Sequence, residues 1–242
     1  MNTRTAALTD PDDLPLLRDE LELLADLVPL QGQRLLELGC GNARLARSLL
    51  ERFADSEVVG LEVDAVQHAK NLAAPQDRLQ FLAASAEAVP FSRRSFDGAL
   101  MLKSLHHVPI PAMDAALAEV ARVVKPGGWF YVSEPIYGGA LNEIVRLYND
   151  EGVVREAAQA ALDRALATGR DWAAVSEHRF AQPAHFADWD EFARRMLFPS
   201  FADHQITPAQ EARVKAAFLP HAAAGDAHFV RPMHVRLLRR KG

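Results

Sequence analysis

Leu35 to Ala43, LLELGCGNA, is an apolar run that meets an acid, Glu37, and then two glycines one residue apart, Gly39 and Gly41. Such a run reads as a strand that stops, turns on glycine and opens a helix where backbone can approach a ligand closely. A side chain at either glycine is expected to occupy ligand volume or to demand an unfavourable backbone. Glu62 follows at about the twenty-residue spacing at which a carboxylate accepts hydrogen bonds from both hydroxyls of a ribose. A structural turn or an exposed acid explains either feature alone; both in this order point to a bound nucleoside. His106 and His107 are suited to proton transfer near neutral pH, and a loop whose histidines hydrogen-bond backbone is the competing reading. Glu134 is able to orient an amine or a hydroxyl, or to cap a following helix.

The glycines also bear on which nucleoside is bound. A dinucleotide fingerprint needs G-x-G-x-x-G, with the third glycine allowing close packing and the pyrophosphate on a helix N-terminus. Arg44 stands in that third position, and Glu37 brings negative charge towards any pyrophosphate. A cationic ligand suits this loop better.

The elements that must carry these residues alternate. Leucines recur at helical spacing from Leu14 to Leu27, predicting an amphipathic helix. A strand over Arg34 to Leu38 leads to a helix over Ala43 to Phe53, and a second strand spans Glu57 to Glu62. Asp64 sits where a helix N-cap belongs, with Val66 and Leu72 expected to face inward and Pro75 ending the helix. Strands are expected over Arg78 to Ala83, Phe96 to Leu102 and Trp129 to Glu134, with a helix over Ala112 to Val124 between the last two. The rhythm argues a doubly wound, mostly parallel α/β sheet. In such a sheet ligands bind beyond the carboxyl ends of the strands, where every residue singled out above falls. Beyond Pro135, one broken or two consecutive helices fill Ala140 to Gly169 and another runs from Trp189 to Leu197. A strand around His204 to Thr207, a helix over Ala209 to Phe218 and a strand over Phe229 to Arg239 complete seven strands. The whole is expected to be one domain, with a cofactor-binding core over residues 1–135, a helical cover over 136–200 and closing strands over 201–242.

The remaining composition narrows the function. A formal charge of −5, with acids and bases interleaved, offers no basic block for nucleic acid. Cys40 is the single cysteine, so there is neither a disulfide framework nor a cysteine-rich metal cluster. The later histidines are scattered without compact ligand spacing, and no metal is expected. Neither a secretory signal nor a membrane span is legible, so a soluble, cytoplasmic protein is expected.

The chain resembles the class I S-adenosylmethionine-dependent methyltransferases, and among them the small-molecule enzymes. The resemblance is carried by ELGCGNA (Glu37 to Ala43), GLEVD (Gly60 to Asp64), SAEAVPF (Ser85 to Phe91), SFDGALMLKSLHHVP (Ser95 to Pro109) and EVARVVKPGGWFYVSEP (Glu119 to Pro135). It implies a Rossmann-like methyltransferase sheet with S-adenosylmethionine as cofactor. Gly39, Cys40 and Gly41 would underlie the methionine portion, with Glu37 fixing the loop and helping to place the amino group. Glu62 would bind the ribose and Val63 would flank the adenine. Ala86 would present its backbone to the adenine edge beside Ser85, and Lys103 would lie by the cofactor. Many relatives have aspartate where Ser85 stands and glycine where Ala43 stands, so weaker cofactor binding is expected.

The reaction implied is in-line methyl transfer to a small-molecule acceptor, which asks the protein chiefly to align the acceptor and exclude water. His107 is the expected base, with Glu134 at the end of the fifth strand as a second catalytic candidate and His106, beside His107, expected to contact the acceptor. Tyr137, Asn142, Arg146 and Tyr148 are spaced to line an acceptor pocket, Arg146 being able to hold a carboxylate or phosphate; a solvated helix face explains them as well. The expected partner is the small-molecule acceptor, with no nucleic acid and no membrane, and a homodimer stays open. Competing readings are a nicotinamide-dependent oxidoreductase and a cofactor-binding module without catalysis.

Overall fold

The computed structural model describes residues 13–199, 202, 204–222 and 225–242. Its elements run α1 (Glu20–Leu27), β1 (Arg34–Leu38), α2 (Arg44–Arg52), β2 (Glu57–Glu62), α3 (Ala65–Ala73), β3 (Leu79–Ala83), β4 (Phe96–Leu102), α4 (Met113–Val123), β5 (Val124–Pro135), α5 (Ala140–Val145), α6 (Gly152–Thr168), β6 (Trp172–Phe186), α7 (Trp189–Phe192), α8 (Pro208–Phe218) and β7 (Ala227–Arg240). The strands form one sheet in the order β3-β2-β1-β4-β5-β7-β6. The pairs β3–β2, β2–β1, β1–β4 and β4–β5 are parallel, and the order reverses at β1, where the glycine turn lies. None of the described helices is long and apolar enough to cross a membrane.

The chain divides into two compact units. The first, Asp19–Glu134 with Gly152–His178 and Val235–Gly242, holds the parallel strands. Its core joins Leu36 and Leu38 of β1, Ala99 and Met101 of β4 and Phe130 and Val132 of β5 to Leu117 and Val120 of α4. These strands read as near-continuous apolar runs because helices bury both faces of the sheet. Asp19 and Asp64 cap α1 and α3 through their side chains, which accept from Leu21 N and Val66 N. The turn at Lys125–Gly128 is looped out within β5, where the register steps from Phe96↔Val124 to Gly98↔Trp129.

The second unit comprises the described residues up to Arg18, Pro135–Glu151 and Arg179–His234. Phe186, Phe192, Phe218 and Phe229 meet there with Leu141 and Ile144 of α5. Thr207 and Gln210 form a reciprocal capping box at the start of α8.

Several expectations are corrected. The first helix begins at Glu20, because Leu16 is taken into a bridge with Ala181. Val66 and Leu72 point outward, 51% and 56% exposed, and the buried position of α3 is Asn71. The segment expected as a helical cover contains the strand β6, and α6 packs Ala158, Ala161 and Leu162 into the core of the first unit beside Trp172. His204 to Thr207 is not a strand: Gln205 has φ 49° and Thr207 serves as the cap of α8.

Candidate cofactor and proton-transfer site

The first unit brings together the residues at the carboxyl ends of β1, β2, β4 and β5. Gly39 and Gly41 both have positive φ, 64° and 53°, which glycine adopts at little cost. An unfavourable backbone for any other residue was one of the two reasons expected, and the space around the two glycines differs. A Cβ at Gly39 would sit 2.7 Å from Ser104 Cβ, so that position is set by packing between the ends of β1 and β4. A Cβ at Gly41 would meet nothing within 4 Å, leaving that backbone open to an incoming molecule. Ala43 shares the left-handed conformation at φ 55° and is fully buried.

Glu62, at the end of β2, is buried and organises this turn. One carboxylate oxygen accepts from Gly41 N at 2.8 Å and the other from Asp64 N at 2.8 Å. Asn71 of α3 grips the same peptide, donating from Nδ2 to Gly41 O at 2.7 Å. Sequence reading missed Asn71; its signal was a polar residue on the helix face that α3 turns inward. Val63, next along, is 71% exposed, an apolar surface on which a planar ring can lie.

Glu37 lies beneath the loop, 4% exposed, and its Oε2 has no hydrogen-bond partner among the described residues. Burial raises its pKa to about 8, against the opposing pull of Lys103 and of the Ala46 N–H of α2. The same burial, with the Glu37 and Glu62 carboxylates, pushes the Cys40 thiol well above its ordinary range, so Cys40 is a small buried filler rather than a nucleophile. Because the pKa of Glu37 rises on folding, its contribution to stability is full below about pH 4.5 and is lost as pH rises through about 8. Urea unfolding of the cofactor-free protein between pH 5 and pH 8 should show stability falling by up to ~1.4 kcal/mol per pH unit from this group. Glu37→Gln should flatten that part of the profile; an identical slope in the variant would refute the assignment.

The N-terminus of α2 is largely spoken for. Arg44 N donates to Asn42 Oδ1 at 3.3 Å, and the Ala46 N–H lies against Glu37. A pyrophosphate would therefore meet the Glu62 carboxylate and few free amides, whereas an ammonium or sulfonium meets favourable charge there and favours ionisation of the nearby Glu37. The orphaned oxygen of Glu37 and the open backbone at Gly41 fit S-adenosylmethionine.

Beyond β3, Ser85 O accepts from Ala88 N at 3.3 Å, and Ala86 packs partly against the core. This loop is clamped by α4: Arg122 donates to Val89 O and Phe91 O at 2.9 and 2.7 Å, and Glu119 accepts from Val89 N at 3.1 Å. Neither α4 residue was singled out from sequence, although both lie in the EVARVV motif.

The end of β4 is held by β5. Lys103 has φ 54° and donates its N–H to Ser133 O at 2.7 Å; Ser104 Oγ donates to Leu38 O at 2.9 Å. Glu134, 1% exposed, neither faces solvent nor caps the helix that follows it. Its Oε1 accepts from Ser104 N and Leu105 N at 3.1 and 2.9 Å, and its Oε2 meets His106 Nδ1. His106 is buried in the 3₁₀ turn Leu105–His107, and the exposed His107 ring lies 4.1 Å from it, centroid to centroid.

Four of the five residues expected to contact the acceptor lie in the second unit; the fifth, His106, is buried against Glu134 in the first. Tyr137 Oη donates to Asp150 at 2.8 Å, and Arg146 pairs with Glu143 at 3.2 Å beside the Tyr137 ring, 5.9 Å away. Tyr148 Oη donates to Met196 O at 2.8 Å, and Asn142 is buried on α5.

Sheet order and switch point define a Rossmann-like fold. Residues 35–128 match the family model described as a methyltransferase domain. Over that stretch, which runs from β1 into β5, the chain is similar to methyltransferase domains. It is 36% identical over 112 residues to a ubiquinone biosynthesis O-methyltransferase of Paracidovorax citrulli, covering 44% of this chain and 45% of that one. A fatty-acid O-methyltransferase of Mycolicibacterium smegmatis is 33% identical over 109 residues, covering 43% and 38%. The chain thus spans less than half the length of these curated relatives. Among solved structures, the YcgJ protein of Bacillus subtilis shares the fold at TM-score 0.64 and 16% identity, over 92% of this chain and 98% of that one. A geranyl diphosphate methyltransferase in complex with S-adenosylmethionine aligns at TM-score 0.57 and 18% identity, over 91% and 84%.

Proposed function

We propose that this protein transfers a methyl group to a small-molecule acceptor. The observation that carries the reading is the pairing of a doubly anchored Glu62 with a buried Glu37, one of whose carboxylate oxygens has no partner among the described residues, beneath a glycine turn. S-adenosylmethionine would supply an electrophilic methyl on its sulfonium, passed in line to the acceptor to leave S-adenosylhomocysteine. Glu62 holds the ribose hydroxyls, and Glu37 faces the cationic end of the ligand with Gly39, Cys40 and Gly41 as the floor. Val63, Ser85 and Ala86 frame the adenine, and Lys103 flanks the cofactor.

In this reading His107 takes the proton that a hydroxyl acceptor must lose, since it is the exposed histidine of the pair. His106 and Glu134 are positioning residues: their buried contact fixes the turn that presents His107. Acceptor recognition is assigned to the second unit, with Tyr137, Asn142, Arg146 and Tyr148 as its candidates, because this part of the chain lies outside the 35–128 match. O-methyl transfer is favoured by the names of the two curated relatives above.

Thermal unfolding tests the cofactor directly. S-adenosylhomocysteine at ~100 times its dissociation constant should add ~2.7 kcal/mol, a rise in Tm of about 5 to 10 °C for a chain of this size. NADH should give no shift. Stabilisation by NADH alone would instead favour an oxidoreductase.

A further inference from the structure

We propose that His185, Asp226 and His228 form a binding site for one borderline divalent transition cation, such as Zn²⁺. The histidines stand 43 residues apart in sequence, so their spacing predicts no metal, but the fold of the second unit brings them together. His185 is the penultimate residue of β6 and His228 the second of β7, strands adjacent in the sheet, and Asp226 immediately precedes β7. Side chains alternate between faces along a strand. Phe186 and Phe229 are accordingly buried in the aromatic core, ring centroids 6.0 Å apart, while the neighbouring imidazoles meet at the surface, 4.7 Å apart. Packing of the two phenylalanines thus sets the spacing of the two histidines.

Both imidazoles aim the same atom at one carboxylate oxygen: His185 Nε2 lies 3.1 Å and His228 Nε2 2.9 Å from Asp226 Oδ2. Metal–nitrogen and metal–oxygen bonds of about 2.0 to 2.2 Å place neighbouring ligand atoms roughly 2.9 to 3.4 Å apart in octahedral or tetrahedral geometry. The cluster therefore already holds a ligand-to-ligand spacing that a cation requires. Arg195 donates to His185 O at 3.0 Å and steadies the strand end.

Two imidazole nitrogens and one carboxylate select Zn²⁺, Ni²⁺, Co²⁺ or Cu²⁺ over Mg²⁺ and Ca²⁺, which prefer all-oxygen shells. The three side chains are 42% to 72% exposed, so water or an outside ligand completes the coordination. A bound cation would clip the end of β6 to the start of β7.

Calorimetric titration of the untagged, chelator-treated protein with ZnCl₂ tests the site. One equivalent should bind in the micromolar range, MgCl₂ should give no heat, and Co²⁺ should produce a visible absorption band. The double variant His185→Ala/His228→Ala should weaken Zn²⁺ binding at least tenfold while S-adenosylhomocysteine still raises its Tm. Absence of Zn²⁺ binding in the wild type, or undiminished affinity in the double variant, overturns the proposal. Asp226→Asn, which keeps the shape of the site, should also weaken binding.

Discussion

Glu62→Ala should lower affinity for S-adenosylhomocysteine a hundredfold or more. The side chain is expected to hold the ribose and demonstrably holds the loop: its two oxygens accept from Gly41 N and Asp64 N, both at 2.8 Å. Hydrogen bonds to a charged group are worth about 1.5 to 3 kcal/mol each, so losing the ribose contacts alone removes two decades or more of binding. Truncation also releases the Gly41 peptide, leaving it gripped from one side by Asn71. Glu62→Gln keeps the shape but must turn an amide towards one of two N–H groups, and should fall between wild type and alanine. Titration calorimetry gives the affinities, and circular dichroism confirms that the variants are folded. A folded Glu62→Ala protein with wild-type affinity would remove Glu62 from the cofactor site.

The second large effect is expected at Glu134. Alanine there strands the backbone N–H groups of Ser104 and Leu105 and removes the partner of His106 Nδ1, all in a buried setting. Breaking a buried, hydrogen-bonded pair of this kind costs about 3 to 5 kcal/mol of stability. If the turn presents His107 as base, turnover should fall by about 10² to 10⁴, with KM for the cofactor little changed. His106→Ala should act in the same direction. His107→Ala should leave stability intact, since that ring is exposed, and lower kcat by about 10² with a hydroxyl acceptor. A fall in stability at Glu134 without a fall in kcat would make the cluster purely structural, and full turnover by His107→Ala would remove it as the base.

Legibility in the sequence followed burial. The bounds of β1, β2 and β4 are those expected, because strands covered on both faces need near-continuous apolar runs, which here stop at Gly39, Glu62 and Lys103. At the edge of the sheet, β6 was missed. Its fifteen residues include Ser176, Glu177, His178, Arg179 and Pro183, and much of its length is exposed or half-exposed, so no apolar run or strict alternation marks it. A strand was expected around His204 to Thr207, but Thr207 is engaged in capping α8.

Local pattern by itself determined the parallel half of the sheet, the glycine turn and the acid at the end of β2. Each depends on neighbours within a few residues, and each enforces its conformation almost regardless of the rest. Only the tertiary structure decided what the acids do. Glu134 is tied to residues 28 to 30 positions away, and Asn71 to a peptide 30 away. A side chain at Gly39 would collide with Ser104, 65 residues away, and two histidines distant in sequence share one aspartate. Such pairings arise from the crossing of elements, and a one-dimensional pattern records only the types of residue available to be paired.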